Sequence, residues 1–217
     1  MKRCFGQASQ SIYHDDEFSD PAVREAVGHE AVGNDPRGFI RHAQRNGRTL
    51  YVKTHELPPQ DRHPAIYVVR DGRSAVVSHA HFLREILYRN VTLPDVIESK
   101  LGVSWSRHVQ AWALSARANT LVVRYEDLAA GDDQTLAAIG AFIGRPPLQA
   151  FDISFSRLHT LAPEFFRCGS DTANISELNG EAAALFEQHH GETLRAMGYG
   201  GKARPATVKA AGDRVPY

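Results

Sequence analysis

Lys53 and His55 stand two residues apart where the run TLYVKT (Thr49–Thr54) gives way to His55-Glu56-Leu57-Pro58. An ammonium stabilises charge growing on a leaving oxygen, and an imidazole with an ordinary pKa near ~6.5 can take a proton from an attacking hydroxyl at neutral pH. The pair therefore suits group transfer, and period-two alternation puts both side chains on one side if a strand continues through them. The same tripeptide also serves as a plain sheet edge. A second cluster, Arg70-Asp71-Gly72-Arg73-Ser74 running on to Ser78, has the composition of an anion site. A guanidinium, hydroxyls and the open backbone N–H groups of a first helical turn can converge on a phosphate. Asp71 can cap that helix, which leaves Arg70 to face a ligand. The alternative is an arginine paired with a nearby carboxylate and serines that merely begin a helix. A third cluster, Arg124-Tyr125-Glu126-Asp127-Leu128, brings acidic residues to a helix start.

All three clusters follow short runs rich in Val, Ile, Leu and Tyr: Thr49–Thr54, Ala65–Arg70 and Thr120–Arg124. Runs this short read as buried strands. Helical patterns cover Pro36–Arg45, Gly72–Leu87, Trp105–Ala116, Gln134–Ile143 and Glu181–Met197, the last stopped by Gly198. Apolar strands alternating with helices predict an α/β fold with a parallel sheet covered on both faces. In such sheets ligands collect beyond the carboxyl ends of strands, where the three clusters lie. A single domain over 1–199 and a loose tail over 200–217 complete the expected organisation.

The 217 residues carry 25 Lys plus Arg against 25 Asp plus Glu, for a formal net charge of zero. That balance gives no bulk attraction for nucleic acid or an anionic membrane, so a bound anion needs a local site. The two cysteines, Cys4 and Cys168, form no CxxC, which argues against a disulfide framework and for a reducing cytoplasm. Thr135–Gly144, the longest weakly polar stretch, is half the ~20 residues of a membrane span, and the N-terminus lacks the apolar core of a signal peptide. The sequons at Asn90 and Asn174 then read as chance. His79, His81, His189 and His190 form no coherent ligand set, so no metal is expected. Asp15-Asp16-Glu17 reads as solvated loop charge.

In this order and spacing, VKTHELP, YVVRDGRSAVVSHAHF, SWSRHVQAW and LVVRYEDL resemble the sulfotransferases that use 3'-phosphoadenosine 5'-phosphosulfate (PAPS). The resemblance runs from about Tyr51 to Gly198. It implies a three-layer, P-loop-like α/β fold in which Arg70 and Ser78 hold the 3'-phosphate. His55 would be the base that deprotonates the acceptor, and Lys53 would lie near the sulfuryl group and the leaving 5'-phosphate. Tyr125 would lie near the adenine, while Trp105, His108 and Trp112 belong to a packing helix. Phe165-Phe166-Arg167-Cys168-Gly169 looks like the family's Phe-x-Arg-Lys-Gly segment, with Cys168 in the place of the Lys, and implies nucleotide contacts from Arg167 and Gly169. The implied acceptor is a small molecule or glycan bearing a hydroxyl or amine, and no metal is needed.

The family's opening strand and Pro-Lys-Ser-Gly-Thr-Thr loop have no counterpart before Lys53, and Met1–Phe5 reads like the end of the helix that follows that loop. The expectation is a fold lacking its first strand, with self-association covering the strand edges so exposed. A nucleotide-binding or regulatory module on the same fold is the competing reading. A small-molecule kinase of related architecture would need a Walker loop and acidic magnesium ligands, and neither is visible in the sequence.

Overall fold

The computed structural model describes residues 1–13, 20–33, 35–167, 169 and 171–200. The acidic run at 15–17, Cys168 and the tail beyond residue 200 lie outside the described residues. Along the chain come α1 (Lys2–Phe5), β1 (Gln10–Ser11), α2 (Pro21–Val27), α3 (Pro36–Arg45), β2 (Val52–Lys53), β3 (Ala65–Val69) and α4 (Gly72–His81). They are followed by α5 (Leu93–Ile97), α6 (Trp105–Val109), β4 (Thr120–Arg124), α7 (Tyr125–Ala129), α8 (Asp133–Ile143), α9 (Phe155–Leu161), α10 (Asp171–Glu177) and α11 (Gly180–Ala196). Both strand pairs are parallel, as expected for an α/β fold. The chain divides into two compact units, Met1–Glu56 with Leu136–Phe166, and Leu57–Thr135 with the chain from Arg167 onward.

The second unit is built on the β3–β4 ladder, in register from Ala65↔Thr120 to Val69↔Arg124. Every residue of β4 is buried, as its unbroken TLVVR pattern requires of a strand covered on both faces. Against this ladder α4 lays Val76, Val77 and Ala80, joined by Ile97, Val109, Phe186, Leu194 and Met197 in one core cluster. Each Val, Ile, Leu, Phe or Met among them contributes about 1.5–3 kcal/mol on full burial. Arg124 is also buried at the strand's end, with Nη2 donating to the Met197 carbonyl and its guanidinium 4.4 Å from the centre of the Tyr199 ring. β3 differs from its partner: Val69 is buried, but Val68 is 45% exposed, which corrects the expectation of a fully buried strand.

Two predicted helices end sooner than expected. α4 stops at His81 and passes into a π-helical turn over Phe82–Ile86, and the chain then takes a left-handed conformation at Tyr88 (φ 49°). α6 gives way to a π-helical turn over Gln110–Leu114, where Ser115 turns extended and its Oγ caps the Ala111 carbonyl at 2.6 Å. Neither site contains a Pro or Gly to announce the change. By contrast, α3 spans the predicted residues, because Asp35 accepts a hydrogen bond from the Gly38 N–H and Pro36 occupies the first helical position. The C-terminal helix runs one residue earlier than predicted and closes on Gly198 at φ 72°.

In the first unit the predicted strand over 49–54 narrows to Val52–Lys53, both exposed, paired with Gln10–Ser11. The Gln10 side chain does part of the work of a longer ladder. Its Oε1 accepts from the Tyr51 N–H at 3.2 Å and its Nε2 donates to Glu30 at 2.6 Å. α1 is a single turn closed by left-handed Gly6, and Met1 gives it no side-chain cap.

Candidate functional site

The second unit carries the anion-site cluster, and its geometry separates the two arginines. Asp71 caps α4 by accepting from the Arg73 N–H at 2.9 Å, and its carboxylate also takes Arg73 Nε at 3.0 Å and Nη2 at 2.6 Å. This pairing raises the Arg73 pKa further. Arg73 is therefore committed to the carboxylate that caps its own helix. Arg70 instead lies over the Tyr125 ring, 4.6 Å from its centre, so the ends of β3 and β4 meet through a cation–π contact.

The bend that holds Arg70 is itself tied down. The Asp71 N–H donates to Glu126 Oε1 at 2.9 Å, and Glu126 Oε2 accepts from the Tyr199 hydroxyl at 2.9 Å. Burial, and then the charge of Glu126, raises the Tyr199 pKa, so the phenol stays a donor. Glu126, read from the sequence only as an acidic helix start, is thus a structural anchor of the cluster. Gly72 serves close approach: a Cβ there would lie 2.7 Å from the Trp105 ring.

Within α4, Ser74 and Ser78 are one helical turn apart on the same face. Ser74 is fully buried, and Ser78 is half-buried. Arg167 Nη2 donates to Asn174 Oδ1 at 2.8 Å and to Glu177 Oε1 at 3.0 Å, and Gly169 takes a left-handed φ of 58°. Trp105 packs against Phe186 and His190, Trp112 stacks on Tyr67, and Tyr67 bonds His108 Nδ1 at 3.1 Å, so the third motif builds core. His190 is buried, with Nε2 donating to the Ile97 carbonyl at 3.0 Å and Nδ1 accepting from Ser106 at 2.8 Å, the pattern of a neutral imidazole. Burial lowers its pKa.

The first unit carries Lys53 and His55, both exposed. β2 ends at Lys53, so strand alternation does not reach His55 and cannot set which way its ring points. Tyr13, which no spacing rule singled out, does that instead. Its hydroxyl accepts from the His55 N–H at 2.8 Å, its ring stacks on the imidazole with centroids 5.6 Å apart, and Glu56 Oε1 lies 3.5 Å from the same hydroxyl.

Among the described residues no group of three or more His, Cys, Asp or Glu is arranged to hold a metal, and no helix is long and apolar enough to cross a membrane. A comparison with curated proteins finds no significant match. A family model for the sulfotransferase domain matches residues 38–161, a span that holds Lys53, His55, Arg70, Ser78 and Tyr125 and leaves Arg167 and Gly169 outside it. That span is more than half of the 217 residues, and the chain belongs to the sulfotransferase family.

Proposed function

We propose that this protein transfers the sulfuryl group of PAPS to a hydroxyl or amine of a small-molecule or glycan acceptor. Arg70 and Ser78 bind the 3'-phosphate, Tyr125 lies near the adenine, and Arg167 and Gly169 supply further nucleotide contacts. The observation that supports this reading is the meeting of Arg70 and Tyr125 at the ends of β3 and β4. Asp71 is committed to Arg73, and Arg70 is held over Tyr125 at the adjoining strand end. That is where a parallel sheet receives a ligand.

In the reaction so proposed, His55 accepts the proton of the acceptor hydroxyl as the acceptor oxygen forms its bond to sulfur. The bond between sulfur and the bridging oxygen of the 5'-phosphate breaks, and the electron pair stays on that phosphate, where the Lys53 ammonium offsets the growing charge. Positioning and electrostatic stabilisation are the main demands, as in phosphoryl transfer. The Tyr13 contact suits this role, since it fixes the backbone at His55 and stacks on its ring. The layered P-loop-like arrangement implied by the sequence belongs to the same proposal.

Calorimetry tests the nucleotide half. Adenosine 3',5'-bisphosphate should bind more tightly than adenosine 5'-monophosphate, and Arg70→Ala should remove most of the difference. Equal affinities, or a preference that survives the substitution, would overturn the assignment. A nucleotide-binding module is the second reading, favoured by the exposure of Lys53 at the end of a two-residue strand and of His55 beyond it. It predicts the same selectivity without sulfuryl transfer from PAPS.

A further inference from the structure

We propose that Asn174, seconded by Glu177, is a positioning residue for Arg167: α10 grips the guanidinium at one nitrogen and ties it to α4, which sets its other donors for a nucleotide phosphate. The proposal rests on the reading above, in which Arg167 touches the nucleotide.

Asn174 is only 3% exposed, although its polar surroundings in the sequence suggest a surface position. A buried primary amide must find partners for both ends. Its orientation is fixed by chemistry, because a guanidinium only donates. Oδ1 therefore faces Arg167 Nη2 at 2.8 Å, and Nδ2 donates to Ser74 Oγ at 3.2 Å. Ser74 lies in the first turn of α4, the helix that also carries Ser78. One amide thus spans from Arg167 to the start of the anion-site helix.

Glu177 makes a second tie to the same helix. Its Oε1 accepts from Arg167 Nη2 at 3.0 Å, and its Oε2 lies 2.7 Å from Nε2 of His81, the last residue of α4. The other ring nitrogen of His81 is 2.7 Å from Glu85. Partial burial works to raise the Glu177 pKa, but hydrogen bonds from His81 and Arg167 outweigh it and hold the carboxyl below the usual glutamate value.

Both ties meet Arg167 at Nη2, and among the described residues they are its hydrogen bonds. Nη1 and Nε stand outside that grip, on a side chain 32% exposed. A guanidinium fixed at one corner is preorganised to offer its remaining donors to an anion. The neutral amide holds the group without cancelling its charge, which a second carboxylate in place of Asn174 would do.

The test is a double-mutant cycle read by calorimetry with adenosine 3',5'-bisphosphate on wild type, Arg167→Ala, Asn174→Ala and the double variant. Asn174→Ala should weaken binding about tenfold and add nothing once Arg167 is gone. Asn174→Asp should weaken it at least as much, although it still accepts from Arg167. Glu177→Ala, which removes this acceptor at a side chain 40% exposed, should cost about threefold, again only when Arg167 is present. Should Asn174→Ala fail to fold, the Glu177 cycle decides alone. A lowered Tm with unchanged affinity in the Asn174 and Glu177 variants, or effects fully additive with Arg167→Ala, would overturn the positioning role. Unchanged affinity in Arg167→Ala itself would overturn the nucleotide contact beneath it, an outcome the cycle separates from the first.

Discussion

The two units meet their proposed tasks with opposite means. The unit of the nucleotide cluster has a five-residue parallel ladder, a strand buried end to end and a bend pinned by Glu126 and Tyr199. The unit of Lys53 and His55 has two paired residues on each of two strands, and Tyr13 holds His55 through its hydroxyl and its ring. Under the proposed function, the difference suits what each chemistry needs. A phosphate site must keep like donors together against their mutual repulsion before the ligand arrives, so it belongs on packed elements. A base must be hydrated, reachable and able to adjust to an acceptor, and a short exposed segment supplies that.

The sharpest way to break this contrast is His55→Ala. In an active preparation it should lower kcat by roughly 10²–10⁴-fold, with nucleotide affinity and Tm close to wild type, because the side chain is exposed and outside the core. Steady-state kinetics paired with calorimetry measures both, and wild-type turnover would place the base elsewhere. Next in size is Gly72→Ala. The new methyl meets the Trp105 ring, so a loss of about 1–3 kcal/mol of stability is expected, with weaker bisphosphate binding beside it. Urea unfolding checks the first effect, and a neutral result would show that the nucleotide unit is less tightly built than its packing indicates.

A smaller effect sharpens the other side. Tyr13→Phe keeps the stacked ring but removes the acceptor of the His55 N–H, and kcat should fall about tenfold with little change in Tm. A loss of stability without loss of turnover would make Tyr13 part of the packing. The smallest effect is in pH. His190 is held neutral, with its pKa below that of the unfolded chain, so below about pH 6.5 the unfolded state binds more protons. Its contribution is present in full above that pH and is lost as the pH falls toward the folded pKa. Stability should therefore decline between about pH 7 and pH 5.5, above the carboxylate range, and His190→Gln should flatten the slope.

What the sequence revealed followed the range of the interactions. The Asp71 cap is visible in the letters RDGRS because donor and acceptor lie two residues apart, and α3 is visible because Asp35 and Pro36 adjoin it. The burial of β4 is written in its own five residues. The strand at Gln10–Ser11 has no β-forming pattern and exists through its pairing with residues more than 40 positions away. Tyr13 and His55 are 42 positions apart, and Asn174 and Ser74 are 100 apart, so neither pair leaves a local trace. The π-helical turns escape for another reason: their residues favour helix, and the extra residue per turn has no compositional mark.

Arg124 has a consequence for how the molecule opens. Its guanidinium is sealed at the end of β4, and what covers it is the Met197–Tyr199 turn, through one carbonyl and one aromatic face. Peeling that turn away would take from the guanidinium both the carbonyl and the ring that hold it. Fraying of the turn is thereby coupled to the end of the ladder that carries Arg124. Amide hydrogens around Met197–Tyr199 should exchange on the timescale of global unfolding, as slowly as those of Val122 and Val123, and in Arg124→Met they should exchange as the independent end of a helix does.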